Sequence, residues 1–340
     1  MIGILSFSDR GQTLGDRIGT LLAKKGAAAQ CDRCPEGGLF AWTAEHFAAD
    51  SALIFIGSCG IAVRAVAPHL AGKLADPAVL AVDELGTYCV SLLSGHVGGA
   101  NRLCRQVAGL LSAIPVITTA TDCSGVFAVD DWAAREGMTI ANPERIKWVS
   151  ARLLSGDRVG FHSAFAVEGV LPKGLYQAEN GYDILVTWRT RGRQEALRLI
   201  PRVVTLGIGC RKEIPQEALE TACQLILKKA GCHPAAIGRV CSIDLKRNEP
   251  GLLHFCKAHG LPFFTYSAEQ LNALAGDFSP SAFVRQVTGV DNVCQRSALM
   301  GSGSNGRLLT GKEAGNGVAM ALAVSDYTVQ FTEGETTWGN

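Results

Sequence analysis

The chain has 340 residues, with 39 glycines and 12 cysteines, and sets 32 Lys+Arg against 31 Asp+Glu for a net charge of +1. A balance this close to zero argues against a protein that tracks phosphates along a nucleic acid, which needs a basic excess on one face. Hydrophobic residues make up 47% and mean hydropathy is +0.17, so extensive disorder is excluded and sizeable cores are expected. At about 150 residues per domain, the length predicts roughly two domains. No apolar run approaches the ~18 residues of a membrane helix. Asp9 and Arg10 follow the opening apolar run too closely for a signal peptide. These features point to the cytoplasm, where thiols stay reduced and unpaired and neither a disulfide framework nor a zinc site is expected.

Ile2 to Phe7 reads as a strand, and Asp9-Arg10-Gly11 turns into a helix over Thr13 to Lys25. Ala52-Leu53-Ile54-Phe55-Ile56 is a short continuous apolar run, as expected of a strand buried on both faces. It ends in Gly57-Ser58-Cys59-Gly60 before a helix at 61–66. Strands follow at Val79–Val82 and Tyr88–Leu93, separated by Asp83-Glu84-Leu85-Gly86. An Ala/Leu-rich helix covers about Gly99 to Leu111, and Pro115–Thr118 is a further strand. Strands alternating with helices predict βαβ units in a doubly wound sheet.

From about 125 to 200 the pattern changes. Apart from a helix over Glu144–Leu154, this stretch shows irregular segments and no evident βαβ unit, and it reads as a small connecting module. A second α/β pattern begins at Val203, with helices at 216–230 and 250–259, strands at 240–243 and 262–266, and a closing strand over Val318–Val324. The fold class expected is α/β, two doubly wound Rossmann-like lobes (1–124 and 201–340) joined by a middle module (125–200).

In such sheets ligands sit beyond the carboxyl ends of the strands, where glycine-rich turns expose backbone N–H groups. Four turns have that form. Gly57-Ser58-Cys59-Gly60 has Arg64 one helical turn on. Ser94-Gly95-His96-Val97-Gly98-Gly99-Ala100-Asn101 puts an imidazole at a helix N-terminus, whose positive end favours the neutral ring. Thr118-Thr119-Ala120-Thr121-Asp122 offers hydroxyls and a carboxylate. Gly207-Ile208-Gly209-Cys210-Arg211-Lys212 starts like a dinucleotide fingerprint, but Lys212 stands where the third glycine belongs, so a carboxylate- or phosphate-binding nest beside Arg211 fits better. Each turn also has a plain reading: packing geometry for the glycines, a helix cap for His96, an Asx turn or cap for Asp122, a solvated turn for Asp83-Glu84, a local ion pair for Lys246 and Glu249. Cys31-x-x-Cys34 stands alone, without the second pair a zinc site needs. The residues by themselves thus leave a two-lobed α/β protein with anion-friendly loops and one good acid/base histidine.

The strings Gly57-Ser58-Cys59-Gly60-Ile61-Ala62-Val63-Arg64, Ser94-Gly95-His96-Val97-Gly98-Gly99-Ala100-Asn101, Thr118-Thr119-Ala120-Thr121-Asp122, Leu206-Gly207-Ile208-Gly209-Cys210-Arg211 and Ser242-Ile243-Asp244-Leu245-Lys246 resemble the CbiG family across nearly the whole chain. The family usually has Glu where Gln295 stands and Gly where Glu213 stands. The resemblance implies a cobalt-precorrin-5A hydrolase of anaerobic cobalamin biosynthesis, which opens the ring A lactone with water and releases acetaldehyde. A non-catalytic corrinoid carrier of the same pathway is the alternative. The implied partner is a cobalt corrinoid, with neighbouring pathway enzymes as further candidates and neither nucleic acid nor membrane. Cobalt arrives inside the substrate, so no cofactor and no protein-bound metal is expected. His96, Glu84 and Asp122 form the expected catalytic set. Gly57, Gly60, Arg64, Gly98, Gly99, Asn101, Thr119, Gly207, Gly209, Arg211, Lys246 and Glu249 are the expected substrate-binding residues, with Arg64, Arg211 and Lys246 on the carboxylate rim.

Overall fold

A computed structural model describes residues 1–72 and 75–331, in two compact units: Met1–Ala134 and a second that begins at Arg135. The first unit runs β1 (Ile2–Ser6), α1 (Asp9–Ala23), β2 (Ala29–Arg33), α2 (Leu39–Ala49), β3 (Ala52–Ile56), α3 (Cys59–Val66), β4 (Ala78–Val82), β5 (Tyr88–Leu93), α4 (Ala100–Leu111), β6 (Ile114–Val116), α5 (Ala120–Cys123) and α6 (Val129–Arg135). Its six strands lie in the order β2-β1-β3-β4-β5-β6. Strands β1 to β4 are parallel, β5 is antiparallel to β4, and β6 is parallel to β5.

Alternation along the buried strands builds two cores, one on each face. On one side Ile4, Ile54 and Leu80 pack with Ile18 and Leu22 of α1 and Val107 of α4. Leu5, Leu53 and Phe55 point the other way, to Trp42 of α2 and Ala62 and Val66 of α3. Every residue of β3 is therefore buried, which is why that strand is an unbroken apolar run. Helix α4 meets the sheet through Leu103, Cys104, Val107 and Ala108, the spacing of one helical stripe.

The second unit opens with β7 (Thr139–Ile140), α7 (Glu144–Leu154), β8 (Val159–Ser163), β9 (Ala166–Gly169), β10 (Leu175–Gln177), β11 (Ile184–Val186) and β12 (Leu197–Ile200). The stretch that reads as irregular in the sequence is a five-stranded sheet, ordered β10-β8-β11-β12-β7, with parallel β10–β8, β8–β11 and β11–β12 pairs. Its strands are at most five residues long, too short for a periodic signal to rise above the flanking turns.

The chain continues through β13 (Val204–Cys210), α8 (Gln216–Ala230), β14 (Ile237–Ile243), α9 (Pro250–Ala258), β15 (Phe263–Tyr266), α10 (Ala268–Asn272), α11 (Ala282–Thr288), α12 (Val293–Gly301), β16 (Arg307–Leu308), β17 (Glu313–Gly315), β18 (Val318–Val324) and β19 (Thr328–Phe331). Here the sheet order is β15-β14-β13-β18-β16, with β13, β14 and β15 parallel and β18 antiparallel to β13. Leu206 and Ile208 face a core that includes Leu219 and Ile226 of α8, whereas Cys294 and Ala298 of α12 pack with Ala321 and Ala323 on the opposite face. Trp188 and Ile200 belong to the same core as Leu206, and β19 pairs with β9, so both sheets of this unit share one interior. Among the described residues no helix is long and apolar enough to cross a membrane.

Candidate active site

The reversal of β5 decides which polar turns meet. Because β5 and β6 run together, their carboxyl ends bring the Ser94–Asn101 turn beside the Thr119–Asp122 segment. His96 Nε2 lies 3.8 Å from Asp122 Oδ2. Asp122 also accepts hydrogen bonds from Arg105, from the Thr119 hydroxyl and, at 2.8 Å, from Asn101 Nδ2. Asn101 is only 3% exposed. Its side chain accepts from Ser91 Oγ at 2.7 Å and donates to Thr119 Oγ1 at 3.1 Å. Its side chain holds Thr119 and Asp122.

Burial works to raise the Asp122 pKa, but hydrogen bonds from Arg105 and Thr119 and the positive groups of Arg105 and His96 outweigh it, and the carboxyl titrates below its ordinary value. Asp122 is therefore an anion at neutral pH, set to stabilise an imidazolium at His96. His96 does not cap its helix: the N-cap of α4 is Gly99, left-handed at φ +81°, with no side-chain cap bond. Gly95 is required because a Cβ there would sit 2.9 Å from the Asn101 amide, and Gly98 because one would strike Ser94. Within the turn, N–H groups of Gly99, Ala100 and Asn101 are spent on His96, Ser94 and Gly95 carbonyls. Those of Val97 and Gly98 have no acceptor among the described residues and remain available to an anion.

Sequence reasoning missed Arg105 and Ser91. Arg105 stands four residues after Asn101 on α4, the spacing of a shared helix face, which was the available signal.

Glu84 lies elsewhere. It sits in the turn between β4 and β5, where its carboxylate accepts a hydrogen bond from Ser8, the N-cap of α1. His96 follows the far end of β5, beyond Leu93, which pairs with Val79 at the start of β4. The five residues of β4, at ~3.3 Å each, hold Glu84 more than about 13 Å from His96. Gly57, Gly60 and Arg64 belong to this second edge, beyond β3. The Gly57 N–H donates to the Val82 carbonyl, and Arg64 is an exposed residue in the last turn of α3. The structure thus brings together His96, Asp122, Asn101, Thr119, Gly98 and Gly99, and sets Glu84, Gly57, Gly60 and Arg64 apart from them.

In the second unit, Gly209, Arg211 and Lys246 line a cavity of about 780 Å³ beyond the carboxyl ends of β13 and β14. Gly207 does not: a Cβ there would run into the backbone of Cys294 and Ala298, so its role is close packing of α12 on β13. Glu249 is buried, accepts from the Ile214 N–H at 3.2 Å and pairs with Lys246 at 2.9 Å, so it steadies Lys246. Burial pushes the Cys210 thiol up to about 11 and that of Cys294 to about 12, so neither thiol lining the cavity is a thiolate at neutral pH. Each of the twelve cysteines is a free thiol. No group of three His, Cys, Asp or Glu side chains among the described residues is arranged to hold a metal ion.

Both departures from the family pattern have structural readings. Glu213 is left-handed, at φ +56°, a conformation in which glycine is unstrained. Gln295 is 4% exposed, and its Oε1 accepts from Ser279 N–H at 3.0 Å and from Asn292 Nδ2 at 2.5 Å. Position 295 therefore fastens the segment at 279 to the start of α12, and a carboxylate can accept the same two bonds.

Fold and geometry define a doubly wound α/β protein with a histidine–carboxylate cluster in its first unit and a basic, apolar cavity in its second. Three family profiles match in chain order: Cobalamin synthesis G N-terminal over residues 41–122, Cobalamin biosynthesis central region over 127–201 and Cobalamin synthesis G C-terminus over 204–323. The cobalt-precorrin-5A hydrolase of Salmonella typhimurium is 37% identical over 307 residues, 86% of this chain and 87% of that protein. The cobalt-precorrin-5A hydrolase of Priestia megaterium is 32% identical over 81% of this chain and 79% of its own length. The solved structure of a cobalamin biosynthesis protein G homolog from Sulfolobus solfataricus aligns over 95% of this chain and 96% of that one, at 22% identity and a TM-score of 0.41. The chain belongs to the CbiG family.

Proposed function

We propose that this chain is a hydrolase that opens the ring A lactone of cobalt-precorrin-5A with water and releases the two-carbon fragment as acetaldehyde, giving cobalt-precorrin-5B. The two relatives named for that activity support the substrate, and their alignments span most of this chain. The observation that carries the chemistry is His96 Nε2 at 3.8 Å from an Asp122 carboxylate already fixed by Arg105, Thr119 and Asn101.

Opening a lactone with water needs a base to take a proton from the attacking water and donors for the negative oxygen of the tetrahedral intermediate. His96, beside the Asp122 carboxylate, is the base of this reading. It takes the water proton, and the carboxylate steadies the imidazolium that forms. The Val97 and Gly98 N–H groups, in the same turn, supply candidate oxyanion donors. The imidazolium then returns its proton to the departing ring-opened oxygen, which leaves His96 neutral again; acetaldehyde leaves as that hydroxyl carbon becomes a carbonyl and its bond to the macrocycle breaks, the electron pair staying on the macrocycle carbon, which takes up the hydroxyl proton. Glu84 has no part in this reading, because it is tied to Ser8 at the other edge of the sheet. Cobalt stays in the macrocycle throughout and belongs to the substrate.

Mixing the protein with cobalt-precorrin-5A and following lactone loss and acetaldehyde tests the reading. Stoichiometric corrinoid binding without either product would replace the hydrolase with a carrier.

A further inference from the structure

The cavity of the second unit has a composition that specifies its occupant more closely than its glycine-rich loop does. Its lining includes Arg211, Lys212, Lys246 and Lys312 and, among the described residues, contains no Asp or Glu. The other walls are mostly apolar, with Ile243, Val284, Val293 and Ala319 among them. Three large apolar side chains at the mouth are well exposed, Leu245 at 67%, Phe283 at 74% and Val287 at 61%. Phe283 and Val287 are four residues apart on α11, so they share one helix face, and that short helix buries none of its own residues. Exposed apolar groups gathered at one opening mark a surface made for a ligand.

Lys246 and Arg211 are held in place. Lys246 spends one of its three donors on Glu249 and keeps the others. The stem of Arg211 runs beneath the Asn316-Gly317 turn of the β17–β18 hairpin. A Cβ on Gly317 would come within 2.7 Å of Arg211 Cδ, and the Arg211 N–H donates to the Gly317 carbonyl at 2.9 Å. Both turn residues have positive φ, +52° and +79°, as the two-residue type I′ hairpin that carries the clamp requires.

A ligand that satisfies these walls has a broad apolar face and several anionic groups on its edge. A nucleotide carries its charge on one phosphate chain and leaves most of the apolar wall without a partner. An amidated macrocycle covers the wall but brings the cations no carboxylate. We propose that this cavity seats the corrinoid, with Leu245, Phe283 and Val287 against the macrocycle and Arg211, Lys212, Lys246 and Lys312 on its carboxylates, and that it thereby selects free carboxylates over their amides. This rests on the substrate class proposed above and deepens it by naming the groups that recognise that class.

The full chain is titrated with cobyrinic acid, whose peripheral carboxylates are free, and with cobinamide, in which they are amidated. Cobyrinic acid should bind with an affinity that falls as salt rises, and cobinamide at least ~10-fold more weakly. Arg211→Gln and Lys312→Gln should each weaken cobyrinic acid about tenfold, the scale of one charge-assisted hydrogen bond. Phe283→Ala should weaken both ligands alike, and as a surface change it leaves the fold intact. His96→Ala should bind as the parent does. No binding of cobyrinic acid, equal binding of cobinamide, or affinity untouched by Lys312→Gln and Phe283→Ala overturns the proposal. Binding that follows these substitutions without any lactone hydrolysis would overturn the hydrolase reading and leave the cavity assignment standing.

Discussion

Replacing His96 separates chemistry from scaffolding. The imidazole is 21% exposed on its side chain and stands 3.8 Å from Asp122. At that separation two full charges attract by about 4 kcal/mol at an effective dielectric of ~20. Arg105 already neutralises part of the carboxylate, so about 2 kcal/mol, or ~30-fold in rate, is the share expected of Asp122 in steadying the imidazolium. The base itself contributes ~10²–10⁴-fold, and His96→Ala and His96→Asn should both slow acetaldehyde release by that factor. Neither variant removes a helix cap, because Gly99 occupies the N-cap and its bonds are to backbone. Their unfolding midpoints should stay within ~2 °C of the parent. The assay is single-turnover acetaldehyde release beside a thermal melt. A His96→Asn protein with parental turnover refutes the base assignment. A large fall in the melting point of both variants would assign the lost rate to the fold and not to the base.

The low Asp122 pKa makes its contribution to stability fully present above the ordinary carboxylate value of 3.8 and lost as pH falls through the folded one. Urea unfolding should therefore show Asp122→Asn well below the parent at pH 7, with the gap closing as pH falls below 3.8 and through the folded value. Glu213→Gly relieves a left-handed residue and should raise stability by up to about 1 kcal/mol, after the entropy that glycine adds to the unfolded chain; a lowered urea midpoint contradicts it. Gln295→Glu should keep turnover within about threefold, since a carboxylate can accept from Ser279 and Asn292; loss of activity with the fold intact would give position 295 a chemical role. Gly207→Ala, which drives a methyl into the α12 backbone, should cost ~2 kcal/mol or more in chemical denaturation.

What could be read without coordinates followed the strength of each local pattern. Strand β3 is apolar throughout because both its faces are covered, and α8 begins after Pro215 at the residue its start signal marks. Strand β2, Ala-Gln-Cys-Asp-Arg, is a half-exposed edge strand whose inward residues, Ala29 and Cys31, are small, and it passes for a loop. Helix α12 hides for a different reason. It buries Cys294, Gln295, Ser297 and Gly301 against a glycine-bearing strand, so its inner face is small and polar where a helix pattern is sought as large and apolar. At the candidate site, the turns were visible as turns, but their partnership was not. His96 and Asp122 are 26 positions apart, and Glu84 is closer to His96 in sequence than Asp122 is. Only the direction of β5 reverses that ranking in space.

That one reversed strand also divides the labour of the first sheet. Doubly wound sheets ordinarily take their ligands in the crevice at the carboxyl ends of strands such as β1 and β3. Here the Ser8–Glu84 bond ties the turn after β4 to the start of α1, across the end of β3 that lies between them. The His96–Asp122 cluster lies at the other rim, with the full depth of β4 between the two. A protein engineer thus has two independent handles on one small sheet. Changes made around Ser8 and Gly57 should add to changes around His96 without interfering.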